Sequence, residues 1–397
     1  MFKFLVANKP SPIALDLGAG GIRMMQLKKI GGRLCALASG RWRFPLALAS
    51  WKCADLQQRR SAAVQAVREM LKTSEFKGRR VVSSISTSLL HIKNVRLPHM
   101  EGKELHQAVL WEAKERFGFE VKSDQMSYIN AGPVRQGNET RDEIIMVAIS
   151  PQAIEEHLGL LEEAGLRPDH IDAEPIAMFR SFERFLRRSE DEQAVSVVMD
   201  IGLSGSSVVV ARGRQILFIK SIDIGGRRLN EAVASQLSLS YDEACELRLR
   251  CIRDNMDRCV AKPADPMGRG CEMRVDPNNV NWTIHDALRG EMESLAREVS
   301  LCLRYCSVTF RGLRCERITV VGGEAYDPAV IQLLSEHLGI ECVVGQPLRG
   351  IDTSNVDVGG DRRGMLAEWS TCGGLAVRNL DLPCVQEDDE AAELMSA

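Results

Sequence analysis

The chain has 397 residues, 45% of them hydrophobic and 26% charged, and its 51 basic and 54 acidic side chains leave a net charge of −3. That is an ordinary globular composition with room for two to four domains. The absence of a basic block or of aromatic residues interleaved with basic ones argues against a nucleic-acid partner. No apolar run approaches the length needed to span a bilayer, and the opening MFKFLVANKP is too short in its apolar part for a signal peptide, so a cytoplasmic location is expected. Twelve cysteines form no Cys-x-x-Cys pair and the seven histidines are isolated; small buried thiols and packed imidazoles are the default reading of both.

Residues 13–43 read as three strands in a meander, turning at Gly18–Gly21 and Gly31–Gly32. Helical periodicity over 55–72 and a strand over 79–86 follow. A different pattern then begins: a strand over 91–97, an amphipathic helix over 102–117 with Leu105, Val109, Ala113 and Phe117 near one face, strands over 126–131 and 143–149, and a helix over 151–164 stopped by Gly165. This stretch, about 89–170, reads as a small α+β module inserted into a first lobe. A helix over 175–186 and a polar linker, 187–193, lead to a second lobe that opens at Ala194. Its strands run to Asp223, and helices are predicted over 228–237, 241–252 and 284–311. A polar, Pro- and Gly-containing loop, 254–281, precedes the last of these. A strand then ends in Gly322-Gly323 before a helix over 328–338, and the acidic tail, 381–397, is expected to be disordered.

One pattern occurs twice. Ile13-Ala14-Leu15-Asp16-Leu17-Gly18-Ala19-Gly20-Gly21 is echoed by Val197-Val198-Met199-Asp200-Ile201-Gly202-Leu203-Ser204-Gly205. Each is an apolar strand, an Asp, a glycine bend and a second apolar strand. Glycine permits the turn and a close approach of backbone to ligand, and free amides in such a bend can face phosphate oxygens. An Asp beside them would be repelled by phosphate, so it suits a magnesium ion or its water. Asp-x-Gly between strands is usually no more than a turn, but two copies half a chain apart suggest two related lobes gripping a polyphosphate from both sides.

The order of the three glycine sites resembles the actin/Hsp70/sugar-kinase superfamily, with Asp16–Gly21 as first phosphate loop, Asp200–Ser204 as second and Gly322-Gly323 as adenosine strand. Asp172-Ala173-Glu174-Pro175 resembles the start of the first connecting helix. Within that superfamily the chain is most similar to the PilM family of type IV pilus assembly proteins, relatives of FtsA. Val95-Arg96-Leu97-Pro98, Lys103-Glu104-Leu105 and Trp111-Glu112-Ala113 resemble the entry to that family's extra subdomain; Ile224-Gly225-Gly226-Arg227-Arg228-Leu229 and Gln346-Pro347-Leu348 fit it elsewhere.

The resemblance implies a two-lobe actin-like α/β fold divided into 11–88 with 171–193 (subdomain 1A), 89–170 (1C), 194–230 with 315–380 (2A) and 231–314 (2B). It implies ATP or ADP held by Asp16, Gly18, Gly20, Gly21, Asp200, Gly202, Ser204, Gly205, Glu246, Arg248, Gly322 and Gly323. Mg2+ would sit near Asp16 and Asp200, and Glu174 would orient a water. It implies a scaffold that docks the short cytoplasmic tail of a PilN-like membrane protein, in a groove beside the inserted module, along with other pilus assembly components. The membrane would be met only indirectly, and self-association is open; an active ATPase or small-molecule kinase is the alternative. Three departures point to weak binding and slow hydrolysis at most. The first loop lacks hydroxyls, Cys245 stands where a ribose-binding Glu is usual, and Glu324 and Tyr326 are bulky where small residues are common.

Overall fold

The computed structural model describes residues 10–49, 56–186, 189–260, 280–359, 365–378 and 380; the acidic tail and the central part of the 254–281 loop lie outside them. Two sheets carry the architecture. The first takes strands β1 (Ile13–Leu17), β2 (Gly21–Ile30), β3 (Arg33–Arg43), β4 (Arg80–Ile85) and, beyond the inserted module, β8 (Arg167–Ala173). Its order is β3-β2-β1-β4-β8, with a two-residue strand, Ile351–Asp352, added beside β3. The second takes β9 (Val195–Ile201), β10 (Ser206–Arg212), β11 (Gln215–Ile222), β12 (Arg317–Val321) and β13 (Glu341–Val344), in the order β11-β10-β9-β12-β13. In both, the first three strands are an antiparallel meander and the last two add in parallel. The sequence echo is therefore an echo of whole sheets.

Helix α1 (Leu56–Thr73) and helix α3 (Pro151–Glu163) cover one face of the first sheet; Ala63, Val67, Met70 and Leu161 meet Ile13, Leu15, Ile22 and Met24 there. The other face packs on α9 (Ser370–Val377), whose eight residues are all buried, and on Ala177 of α4 (Glu174–Glu183). The second sheet is packed by α4 on one side. Helices α5 (Gly226–Leu237), α7 (Val280–Thr309) and α8 (Pro328–Leu338) also contribute to its core. Helix α6 (Tyr241–Val260) runs eight residues beyond its expected end, into the stretch read as loop.

The inserted module has its own three-stranded sheet, β5 (Leu90–Leu97), β7 (Glu139–Ile149) and β6 (Met126–Gln136), with β7 in the middle. Ile144, Met146 and Ala148 face α2 (Gly102–Arg116), where Leu105, Val109, Ala113 and Phe117 are all buried as the helical spacing predicts. Ile145 and Val147 face the opposite way, into the core of the second lobe. Burial on both faces explains the unbroken apolar run in β7. The hairpin is longer than the sequence suggested, because Gly132, at φ 99°, carries a register shift, and Pro133 is tolerated on an edge strand. A buried carboxylate ties module to lobe: Glu143 accepts from Asn94 (3.1 Å), Arg96 (2.8 Å) and the hydroxyl of Tyr305 on α7.

Candidate functional site

Between the lobes lies a cleft of about 470 Å³, lined by both glycine hairpins. Each hairpin is closed by a near contact of the same kind: a Cβ on Gly18 would lie 3.2 Å from the Gly21 carbonyl, and one on Gly202 3.3 Å from that of Gly205. The carbonyls of the two turns are engaged from behind, by different chemistry. In the second, the amides of Gly226 and Arg227 donate to Gly202 and Leu203 (both 2.9 Å). This approach leaves no room for a side chain on Gly225, whose Cβ would stand 2.5 Å from the Gly202 carbonyl. In the first, the Arg59 guanidinium donates to Ala19 (2.7 Å) and Gly18 (3.4 Å), while the Phe44 amide donates to Gly20 (3.2 Å). With these carbonyls engaged, backbone amides are what the turns can offer an anion.

Strand register decides what stands beside each aspartate. Asp16 is paired across the hairpin with Arg23, and Asp200 with Ser207, seven residues on in both copies. Arg23 reaches Asp16 at 3.7 Å. Burial nevertheless pushes Asp16 up to about 7, against the pull of Arg23 and with help from the charge of Glu174. Asp200 is raised too, by desolvation first and then by Glu174 and Asp16, with a hydrogen bond from Ser370 opposing. Glu174 thus raises the cost of ionising both Asp16 and Asp200, with the Arg23 guanidinium beside Asp16 opposing. Glu174, the first residue of α4, is held by the amide (2.6 Å) and hydroxyl (3.0 Å) of Thr87.

The cleft brings together Asp16, Gly18, Gly20, Gly21, Glu174, Asp200, Gly202, Ser204, Gly205, Arg248, Gly322 and Gly323. Glu246 is not among its lining residues: its side chain is 61% exposed and pairs with Arg250 one turn on. Helix geometry explains the difference. Two residues turn an α-helix by about 200°, so Glu246 and Arg248 cannot share a face. Arg248 itself is 97% buried, donating to Asn230 (2.7 Å), Glu324 (2.7 Å) and Asp327 (2.8 Å). Burial works against its charge, but the two carboxylates hold its pKa well above the ordinary value.

Sequence reasoning missed Arg23, Arg59, Thr87 and Thr371. The seven-residue register offset could have found Arg23; nothing local marks the others, which arrive from other elements. Thr87 and Thr371, with Ser86 and Ser88, bring hydroxyls that the first loop lacks. Among the described residues no three His, Cys, Asp or Glu side chains are grouped to hold a metal unaided.

The family model for type IV pilus assembly protein PilM matches residues 14–259. The chain belongs to that family. Its structure is similar to that of a PilM–PilN type IV pilus biogenesis complex, with a TM-score of 0.71 and 23% identity over 92% of this chain and 98% of that one. It is also similar to the ethanolamine utilization protein EutJ from Carboxydothermus hydrogenoformans, at a TM-score of 0.50 and 14% identity over 93% and 89%. The doubled sheets and these likenesses give an actin-like, two-lobe fold. Among the described residues no helix is long and apolar enough to cross a membrane.

Proposed function

We propose that this chain is a cytoplasmic, nucleotide-binding scaffold of a type IV pilus, or related secretion, assembly at the inner membrane, and that it docks the short cytoplasmic tail of a PilN-like membrane protein. Family membership supports the pilus assignment, and the similar fold solved as a PilM–PilN complex supports the partner. The observation that carries the nucleotide reading is the meeting of Asp16 and Asp200, from equivalent turns of the two lobes, in one cleft with Glu174.

The donor set fits Mg2+ that arrives with phosphates. Asp16 and Asp200 would hold the ion through its water shell, and phosphate oxygens would complete the coordination that the protein does not supply alone. Bound there, the cation would neutralise phosphate charge. This chain's own groups do the rest. Backbone amides of the two hairpins would meet the phosphates, Gly323, open on its side-chain side, would let a nucleoside approach the backbone, and Glu174, anchored by Thr87, would orient a water. The first turn's lack of hydroxyls and the engaged Arg248 favour weak binding and slow hydrolysis. The ligand is structural, and the partner docks beside the inserted module, whose sheet and helix α2 fall within 90–149, since α3 and β8 pack in the first lobe.

Calorimetry with ATP and ADP tests this directly. Binding should require Mg2+ and vanish in Asp16→Ala and Asp200→Ala, with melting curves still cooperative. Turnover as fast as that of a metabolic kinase, in protein free of contaminating ATPase, would defeat the scaffold reading.

A further inference from the structure

A second charged cluster lines the same cleft. Glu324 sits in the turn after β12. Its Oε2 accepts from Arg248 Nη2 at 2.7 Å, and its Oε1 lies 2.0 Å from where a Cβ on Gly226, the first residue of α5, would stand. One side chain therefore bridges the β12 turn, the start of α5 and the middle of α6. The residue before it, Gly323, faces open space. Arg248 does not depend on this carboxylate for its place: Asp327 and Asn230 hold the same guanidinium, and Asp327 is the more buried of the two acids, at 6% exposure against 15%. Arg248 also keeps a buried Nε without a hydrogen-bond partner.

Resting on the nucleotide reading above, we propose that Glu324 is a gate over the base-and-ribose end of the cleft. It occupies the face of Arg248 that lines the cleft and that a nucleoside would need, and it must swing away for the ligand to enter. Once it moves, an Arg248 Nη2 hydrogen becomes available while Asp327 and Asn230 keep the guanidinium in place. It suits a sugar hydroxyl or ring nitrogen, both of which accept from a guanidinium. The gate thus lowers affinity for nucleosides without touching the phosphate loops.

The test compares Mg·ADP with Mg·pyrophosphate on the full chain. Breaking a charge-assisted hydrogen bond corresponds to roughly ten- to a hundredfold in an equilibrium. Glu324→Ala should therefore bind Mg·ADP about tenfold more tightly than the parent chain, while its affinity for Mg·pyrophosphate stays the same. Glu324→Gln keeps the volume but not the charge and should gain less; it also covers the case of an unfolded Ala variant, since Asp327 still pairs Arg248. Unchanged or weaker Mg·ADP binding in both variants overturns the gate while leaving the nucleotide site intact. An equal gain for ADP and pyrophosphate also overturns it, reducing the effect to net charge. If the parent and both variants bind neither probe, the nucleotide reading itself falls, and the gate with it.

Discussion

Gly374 of α9 and Ala177 of α4 meet backbone to backbone: a Cβ added to Gly374 would lie 1.6 Å from the Ala177 carbonyl oxygen. These helices join the two lobes behind the cleft, and α4 carries Glu174 at its first turn. Asp172 fastens the crossing, accepting from Arg180 (2.5 Å) and Arg378 (3.0 Å). Gly374→Ala should destabilise the protein by about 3 kcal/mol, the upper range for overpacking, because backbone cannot yield as a side chain can. Its neighbour is the control. A Cβ on Gly373 is crowded by the end of the Leu348 side chain, at 2.9 Å, and meets the Pro347 carbonyl at an ordinary 3.9 Å, so Gly373→Ala should cost about 1 kcal/mol or less. Urea titrations of the two variants decide the point; equal losses would place the close approach elsewhere.

The first glycine turn depends on a residue far from it in sequence. Arg59 donates to Gly18, Ala19 and Leu48 and lies 3.9 Å from the centre of the Phe44 ring. Arg59→Ala removes several charge-assisted bonds at once, and Mg·ADP affinity should drop about tenfold. Arg59→Lys should rescue little, because an ammonium cannot reproduce the planar fork. Full rescue by Lys, read by the same titration, would reduce the role of Arg59 to bulk charge.

The parts legible in the sequence were those where local chemistry and tertiary role coincide. Glycine bends flanked by apolar strands announced both hairpins, and helical spacing announced the buried face of α2. Helix α9 was not legible because Gly373-Gly374 reads as a turn; in the fold the doublet is what lets two helices touch. Strand β8, Arg-Pro-Asp-His-Ile-Asp-Ala, lacks an apolar pattern because it lies at the edge of its sheet, paired only with β4. In the cleft, the aspartates and glycines were readable, whereas Thr87 and Thr371 reach it, and Arg59 braces its first turn, only through long-range packing.

Acid should loosen the α3 side of the first lobe. His157 accepts or donates at Ser83 Oγ (2.8 Å), and desolvation lowers its pKa to about 4 from 6.5. A histidine held neutral binds fewer protons folded than unfolded between those values, so its contribution to stability is whole above pH 6.5 and is lost as pH falls towards 4. Part of the ring reaches solvent, which limits the loss to about 1–2 kcal/mol. His157→Gln keeps a partner for Ser83 and should flatten the stability profile between pH 6.5 and 4.5. An unchanged slope would assign the acid sensitivity to other groups.

The partner surface can be tested without dismantling the module. Removing residues 89–170 would tear Ile145 and Val147 out of the second lobe's core and break the Glu143–Tyr305 contact, so loss of binding by such a deletion would say little. Trp111 offers a cleaner probe. The other marked residues of α2 are buried, whereas Trp111 is 63% exposed. It carries large anchor area and contributes little to the module's own packing. Trp111→Ala should therefore leave the urea midpoint nearly unchanged, within about 0.5 kcal/mol. If the PilN-like tail crosses this helix, the same change should weaken a peptide from that tail by about thirtyfold, the effect of losing a central aromatic anchor. Fluorescence anisotropy of the labelled peptide against the intact chain reads the binding, and a urea titration the stability. Undiminished peptide binding by a folded Trp111→Ala variant would move the docking groove off the exposed face of α2.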